Sequence, residues 1–78
     1  MKKTNYYSNT VLTRRPYLRE EWLKEAWEAP LYVETQPDGR KRHFIYISEY
    51  DKYLRVVFED DFVHNAFLDR RFKLKAST

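Results

Sequence analysis

The side chains best suited to act on a phosphate or a nucleobase lie in the second half of the chain. Histidine is the usual proton carrier near neutral pH, and arginine presents a planar fork of donors to phosphate oxygens. Tyrosines on a sheet can stack on unpaired bases. The residues that bring these types together over a few strands are Arg42, Tyr46, Tyr53, Arg55, His64, Arg70, Arg71 and Lys73.

These residue types suit a metal-independent cleavage of RNA, in which a 2′-hydroxyl attacks the neighbouring phosphate. That reaction needs a group to take a proton, a donor for the leaving oxygen and cations for the phosphate. We assign the catalytic roles to His64, as general base or acid, and to Arg55 and Arg70 at the phosphate. The predicted substrate-binding residues are Arg42, Tyr46, Tyr53, Arg71 and Lys73.

Structural explanations compete with these assignments. A single histidine on a half-exposed strand is more often structural than catalytic, and we expect His43, on the opposite face from His64, to be structural. An aromatic and basic sheet face can also bind protein, because tyrosine, tryptophan and arginine dominate interface hot spots. Asp69 with Arg70 and Arg71 is interpreted as an ion pair that pins the tail; otherwise the arginines extend a phosphate-binding edge.

Composition narrows the function classes. A chain of 78 residues suits one domain with a small core, and an aromatic content of 18% argues against disorder. Cysteine is absent and the two histidines are predicted on opposite faces, so no transition-metal site is expected. One glycine cannot build a glycine-rich phosphate loop, and no cofactor is expected. The basic clusters at 40–43 and 70–75 favour nucleic-acid phosphates or an acidic protein as the partner, and a solvated surface of mixed charge is the structural alternative.

The sequence has no pattern typical of secretion or membrane insertion. The residues after Met1-Lys2-Lys3 are polar where a signal peptide would continue with an apolar segment. No apolar run approaches the ~18 residues of a membrane span. With no cysteine for disulfides, we expect a cytoplasmic protein that does not contact a membrane.

One helix and four strands are predicted to position the candidate residues. Pro16 and Pro30 bound a predicted helix over 17–29. Strands are predicted over 31–36 and 41–48 around a Pro-Asp-Gly turn, and on either side of Asp60-Asp61. The apolar residues that recur with helical period on one face of the helix are Leu18, Trp22, Leu23, Ala26 and Trp27.

The predicted fold class is α+β, with one N-terminal helix packed on a four-stranded antiparallel β-meander. We divide the chain into a polar N-terminal arm or short edge strand (1–10), a single α+β domain (11–74) and a C-terminal tail (75–78).

The hairpin loops assign each strand residue to a face of the sheet, because cross-strand partners share a face. The pairs predicted from loops at 37–39, 49–52 and 60–61 are Gln36 with Arg40, Glu34 with Arg42, Tyr46 with Arg55, Phe44 with Val57, Glu59 with Phe62, Val57 with His64, Arg55 with Ala66, and Tyr53 with Leu68. This register gathers the candidate side chains on an open face, and it leaves Asn65 among the core residues of the helix side.

Several segments, taken in order, resemble small proteins of bacterial and phage mobile regions. They are Leu12-Thr13, Trp22-Leu23, Ala29-Pro30, Gly39-Arg40, Tyr53 to Val57, and His64 to Phe72. The pattern covers roughly residues 11–74 and is similar to RelE/BrnT-like toxins and the wider barnase–colicin–RelE group of ribonuclease folds.

The resemblance implies an RNA-cleaving site on the open face of a twisted antiparallel sheet, and an antitoxin as partner. Arg55, His64 and Arg70 occupy places comparable to the catalytic residues of such toxins, with Tyr53 and Arg42 in support. The helical part is shorter than the two-helix hairpin of RelE-type toxins, and the chain is only mildly basic. The alternative is a non-catalytic protein- or nucleic-acid-binding module, such as a phage- or plasmid-borne inhibitor.

Overall fold

A computed structural model describes residues 1–74, and it shows an α+β chain built on a four-stranded antiparallel sheet. The strands are β1 (Tyr32–Thr35), β2 (Lys41–Ile47), β3 (Lys52–Glu59) and β4 (Phe62–Asp69), and they neighbour one another in chain order. A π-helix (Tyr7–Val11) continues into the short α1 (Leu12–Arg14), and the longer α2 (Glu20–Glu28) follows. The predicted fold class, a helix before a four-stranded meander, is confirmed. The predicted tail at 75–78 lies outside the described residues.

Residues 1–10, expected to form an arm or a short edge strand, contain one bridge and then a helical turn. Lys3 forms a parallel bridge with Val63 of β4, and the chain then enters the π-helix. Tyr7 and Val11 lie one helical turn apart, and each is only 1% exposed in the core. The apolar surface of these two residues explains why the segment becomes helical on the sheet.

Helix α2 begins three residues later than predicted, because residues 16 and 17 form a turn instead. The backbone N–H of Leu18 donates to the carbonyl of Arg15, which delays the helix. Trp22, Leu23 and Ala26 are buried against the sheet as the helical period predicted. Trp27 differs, since its side chain is 41% exposed at the edge of the packed face.

The first two hairpins keep the predicted faces. The pairing of Glu34 with Arg42 is confirmed, and the N–H of Gln36 donates to the carbonyl of Arg40. The next loop lies at 48–51, one residue earlier than expected, so Tyr46 pairs with Tyr53 instead of Arg55. The pairing partner of each β2 residue is thus two positions earlier in β3 than predicted. Every side chain stays on its predicted face, because strand side chains alternate with a period of two.

The last hairpin contains a bulge that overturns the predicted faces of β4. Glu59 pairs with Phe62 as predicted, but the register shifts between Val57 and Phe58. Val57 therefore pairs with Asn65 where His64 was predicted, and His64 is the extra residue of the bulge.

Beyond the bulge, the predicted pairs of Arg55 with Ala66 and of Tyr53 with Leu68 are wrong. Arg55 pairs with Phe67 and Tyr53 pairs with Asp69. The shift takes Asn65 out of the core face, and it buries the small side chain of Ala66 there completely. Burying the side-chain amide of Asn65 in the core would be unfavourable, which explains why β4 contains one extra residue at the bulge.

The core lies between α2, the π-helix and one face of the sheet, which we call the helix side. Its buried residues include Tyr7, Val11, Leu18, Trp22, Leu23, Ala26, Ile45, Ile47, Leu54, Val56, Phe58, Val63 and Ala66. The opposite face, which we call the open face, consists of Tyr32, Glu34, Arg42, Phe44, Tyr46, Tyr53, Arg55, Val57, Asn65, Phe67 and Asp69. Within residues 1–74, each helix is too short or too polar to cross a bilayer.

Candidate functional site

The chain returns over the open face after β4 and partly covers it. The ring of Phe72 stacks on the ring of Phe44 with centroids 3.8 Å apart and planes 10° apart. Tyr32 and Tyr53 lie on either side of Phe72, at 5.6 and 5.2 Å between ring centroids. As a result Phe44 is fully buried although it belongs to the open face.

Asp69 forms the turn that sends the chain back over the sheet. Its Oδ1 accepts the backbone N–H groups of Arg71, at 2.9 Å, and of Phe72, at 3.1 Å. Its Oδ2 accepts a hydrogen bond from the guanidinium of Arg55. Burial opposes the ionisation of this carboxyl, but the N–H of Arg71, the Arg55 guanidinium and the N–H of Phe72 outweigh it and lower the pKa of Asp69. We expected Arg70 and Arg71 as its ion-pair partners; the partner is Arg55.

The predicted catalytic residue Arg55 is therefore held in place within the protein. Its guanidinium lies 5.0 Å from the ring centroid of Phe67 and 5.6 Å from that of Phe44. Its side chain is 24% exposed and its charge is balanced by Asp69. Arg55 thus joins the returning segment to the sheet.

The predicted binding residue Arg42 is likewise paired. Its Nη1 donates to Glu34 at 2.9 Å, and its Nε donates to the side chain of Gln36 at 3.0 Å. These contacts cross the first hairpin on the open face. Arg42 stabilises that hairpin, and its charge is balanced locally.

His64 lies at the bulge, beside the N-terminal segment. Its Nδ1 shares a hydrogen bond of 3.1 Å with the hydroxyl of Thr4, and its ring stacks on Tyr6 with centroids 5.1 Å apart. It precedes Asp69 by five residues in β4, which is roughly 16 Å of strand. The structure therefore does not bring His64 together with Arg70.

His43 is structural, as predicted. Its ring is buried on the helix side, and Nδ1 donates to the carbonyl of Ala26 at 2.7 Å. It also stacks on Trp27, with centroids 5.8 Å apart and planes 9° apart. The histidine thus ties α2 to β2. Among the described residues, no group of three His, Asp or Glu side chains is arranged to hold a metal ion.

Four of the eight predicted site residues do meet, in a surface groove where β2, β3 and the returning segment come together. The groove has a volume of about 800 Å³. We call it the tyrosine groove. The predicted residues in its wall are Tyr46, Tyr53, Arg70 and Lys73, and the others are Asp51, Lys52, Asp69, Phe72 and Leu74. The predicted binding residue Arg71 is exposed and lies outside this wall, where its backbone N–H contacts Asp69.

The groove combines aromatic rings with unbalanced cations. Tyr46 and Tyr53 meet edge to face, with ring centroids 5.5 Å apart, and Tyr46 is 42% exposed. Lys52, Arg70 and Lys73 form no ion pair with any residue in the part of the chain that is described. By contrast, both acidic groups of the wall are already engaged.

The groove keeps a net positive charge, because Arg55 neutralises Asp69 and only Asp51 opposes Lys52, Arg70 and Lys73. Asp69 is paired with Arg55, and Asp51 accepts a hydrogen bond from the hydroxyl of Tyr46. The bond to Asp51 raises the pKa of Tyr46, so its phenol stays protonated and acts as a donor. Three free cations beside two tyrosine rings can hold a phosphate chain and stack its bases.

Sequence reasoning missed Lys52 and Phe72 as members of this site. Lys52 was placed in a loop; the earlier end of that loop puts it in β3, opposite Ile47. Phe72 was assigned no role, and nothing local in the sequence indicates that the chain folds back over the sheet after β4.

Comparison of the chain with family models, with curated proteins and with solved structures finds no match in any of the three.

Proposed function

We propose that this protein binds single-stranded RNA in the tyrosine groove. The observation that carries the proposal is the meeting of two tyrosine rings with Lys52, Arg70 and Lys73, three cations with no ion-pair partner among residues 1–74. Aromatic rings supply stacking surfaces for bases, and the cations lie where they can contact the phosphates between those bases.

Single strands suit this groove better than duplexes. A base can stack on Tyr46 or Tyr53 only if its own face is free, which requires an unpaired nucleotide. Each such stack contributes about 1–3 kcal/mol as measured by alanine substitution. The groove volume of about 800 Å³ suits a few nucleotides.

The proposal predicts a salt-dependent affinity that resides in the groove cations. We expect labelled oligouridine to bind with a log–log salt slope of about −0.7 for each phosphate contacted. Replacing Arg70 and Lys73 together by glutamine should reduce the magnitude of that slope by about 1.4, as two contacts are lost. Fluorescence anisotropy over a salt series measures both quantities.

A matched control replaces Lys24 and Lys41 by glutamine, since both are exposed and lie outside the groove wall. This variant should keep the wild-type slope. If the control pair lowers the slope as much as the Arg70 and Lys73 pair does, the binding is diffuse and the tyrosine groove is not its site.

RNA cleavage in the same groove is a second candidate, supported by the resemblance to RelE/BrnT-like toxins and by two tyrosine hydroxyls beside free cations. In this version Tyr53 would carry the proton next to a phosphate held by Arg70, because the hydroxyl of Tyr46 already donates to Asp51. An antitoxin would then be the expected protein partner.

The cleavage hypothesis is tested by incubating the full chain with single-stranded RNA in EDTA. We expect cleavage that is lost in Tyr53→Phe and kept in His64→Ala, because His64 is hydrogen-bonded to Thr4 away from the groove. If cleavage is lost in His64→Ala but kept in Tyr53→Phe, the catalytic residue is His64, as predicted from the sequence. If the wild-type protein does not cleave RNA, RNA binding without cleavage remains the proposed function.

A further inference from the structure

A second groove adjoins the tyrosine groove on the open face, and we call it the β1 groove. Its volume is about 460 Å³. The residues in its wall are Tyr32, Glu34, Phe72, Lys73 and Leu74, and the last three also line the tyrosine groove. Because the two grooves share this border, a strand of RNA that occupies one can extend into the other.

The ring of Tyr32 provides the stacking surface of the β1 groove. It is 43% exposed. Its other contacts fix its position, since its centroid lies 5.6 Å from that of Phe72 and 6.0 Å from that of Phe44. An exposed ring held in this way suits an unpaired base, but stacking accepts every base. The identity of the base is therefore read by a polar group.

Glu34 is the polar group placed to read that base. It follows Tyr32 by two residues on the same face of β1, which is roughly 7 Å of strand. Its Oε1 accepts a hydrogen bond from Arg42 at 2.9 Å, whereas Oε2 forms no hydrogen bond with any group in residues 1–74. The side chain is 33% exposed. Oε2 is thus free to accept a hydrogen bond from a ligand.

Arg42 holds this carboxylate in place. Its Nη1 donates to Glu34 and its Nε donates to the side chain of Gln36, so the guanidinium is fixed at two points. Its charge also offsets that of Glu34, which reduces repulsion between the carboxylate and a phosphate held by Lys73. Arg42, expected from the sequence to bind substrate, then acts as a positioning residue.

The chemistry of a carboxylate determines which bases it accepts. An ionised carboxylate accepts hydrogen bonds and donates none. Cytosine, adenine and guanine each carry an exocyclic amino group that donates, and the amino group of cytosine is a common partner of glutamate. Uracil carries carbonyl oxygens in place of amino groups, and the carboxylate repels them. Glu34 therefore selects against uracil.

We propose that the β1 groove binds one unpaired base that carries an exocyclic amino group. The base stacks on Tyr32, its amino group donates to Oε2 of Glu34, and Lys73 contacts the phosphate that leads to the nucleotide in the tyrosine groove. The proposal rests on RNA binding in the tyrosine groove, and it adds a sequence preference at the neighbouring position.

The test uses the full chain and three labelled hexanucleotides that differ only at the third nucleotide. One consists of uridine throughout, one has cytidine there, and one has N4,N4-dimethylcytidine, which lacks amino hydrogens. By fluorescence anisotropy, we expect the cytidine oligomer to bind about tenfold more tightly than the uridine oligomer, the effect of one hydrogen bond to a charged group. The dimethylated oligomer should bind no more tightly than the uridine oligomer.

Glu34→Gln isolates the carboxylate. Its side-chain oxygen can stay with Arg42, and its N–H₂ group then faces the base as a donor. We expect the preference for cytidine to disappear, while the uridine oligomer binds as it does to the wild type. The matched control is Glu49→Gln, because Glu49 is also paired with an arginine, Arg19, and lies outside both groove walls. It should keep the full preference.

Four results would contradict the proposal. Equal affinity of the wild type for the cytidine and uridine oligomers would overturn it and leave binding in the tyrosine groove intact. A dimethylated oligomer that binds as tightly as the cytidine oligomer would do the same, and so would a Glu49→Gln variant that loses the preference as Glu34→Gln does. If none of the oligomers binds, the proposed function and this inference are both wrong.

Discussion

At the scale of single residues, Asp69 shows how one side chain holds two parts of the chain together. One carboxylate accepts two backbone N–H groups and the guanidinium of Arg55, and it thereby joins the returning segment to β3. Hydrogen bonds to a charged group are the stronger kind. The predicted catalytic role of Arg55 therefore has to coexist with this structural one.

Replacing Asp69 by asparagine should destabilise the fold by about 1–3 kcal/mol at neutral pH, because Arg55 loses its counter-charge. The lowered pKa of Asp69 means that its stabilising effect is complete above the unfolded value, about 3.9, and is lost as pH falls through the folded value. Urea unfolding should show a gap between wild type and Asp69→Asn that narrows from about pH 7 to about pH 3.

The control for this prediction is Asp60→Asn, the same chemical change in an exposed turn. Asp60 has a φ of 53°, a left-handed conformation that asparagine accepts well. Its stability should match the wild type at both pH values. A gap for Asp69→Asn that does not depend on pH would contradict the assigned role of its charge.

At the scale of elements, the bulge of β4 decides which residues the open face presents. Because His64 is the extra residue, deleting it should leave every later pair of β3 and β4 unchanged, including Val57 with Asn65. We expect this deletion to fold and to cost roughly 1–2 kcal/mol, for the lost contacts with Thr4 and Tyr6. Urea unfolding and the amide pattern of β4 measure the outcome.

Deleting Phe67 from the same strand is the matched comparison. Without Phe67, no register keeps Ala66 and Leu68 on the helix side while keeping Asn65 and Asp69 on the open face. That deletion should abolish cooperative folding. Should both deletions unfold the chain, the bulge would be an essential part of the sheet instead of an insertion in it.

At the scale of the whole molecule, periodic patterns predicted the fold class, and long-range contacts determined the site. The helical period of Trp22, Leu23 and Ala26 identifies the helix. The Pro-Asp-Gly turn identifies the first hairpin. The bulge at His64 has no glycine or turn signal, and its one trace in the sequence is that a regular register would bury Asn65 in place of Ala66.

The candidate site was predictable in composition but only partly in location. Tyr46, Tyr53, Arg70 and Lys73 were selected as aromatic and basic residues, and they do line one groove. The ion pair of Arg55 joins residues 14 positions apart. Such pairings depend on how the returning segment crosses the sheet, which no spacing along the chain encodes.

The parallel bridge at Lys3 also bears on how this protein can assemble. The N–H of Val63 donates to Lys2 and its carbonyl accepts from Thr4, so the outer edge of β4 is occupied there, and the π-helix packs beside the same strand. At the other edge, no strand or bridge lies outside β1 among residues 1–74. A strand that added to β4 next to Val63 would first have to displace the N-terminal segment, whereas no such displacement is needed at β1.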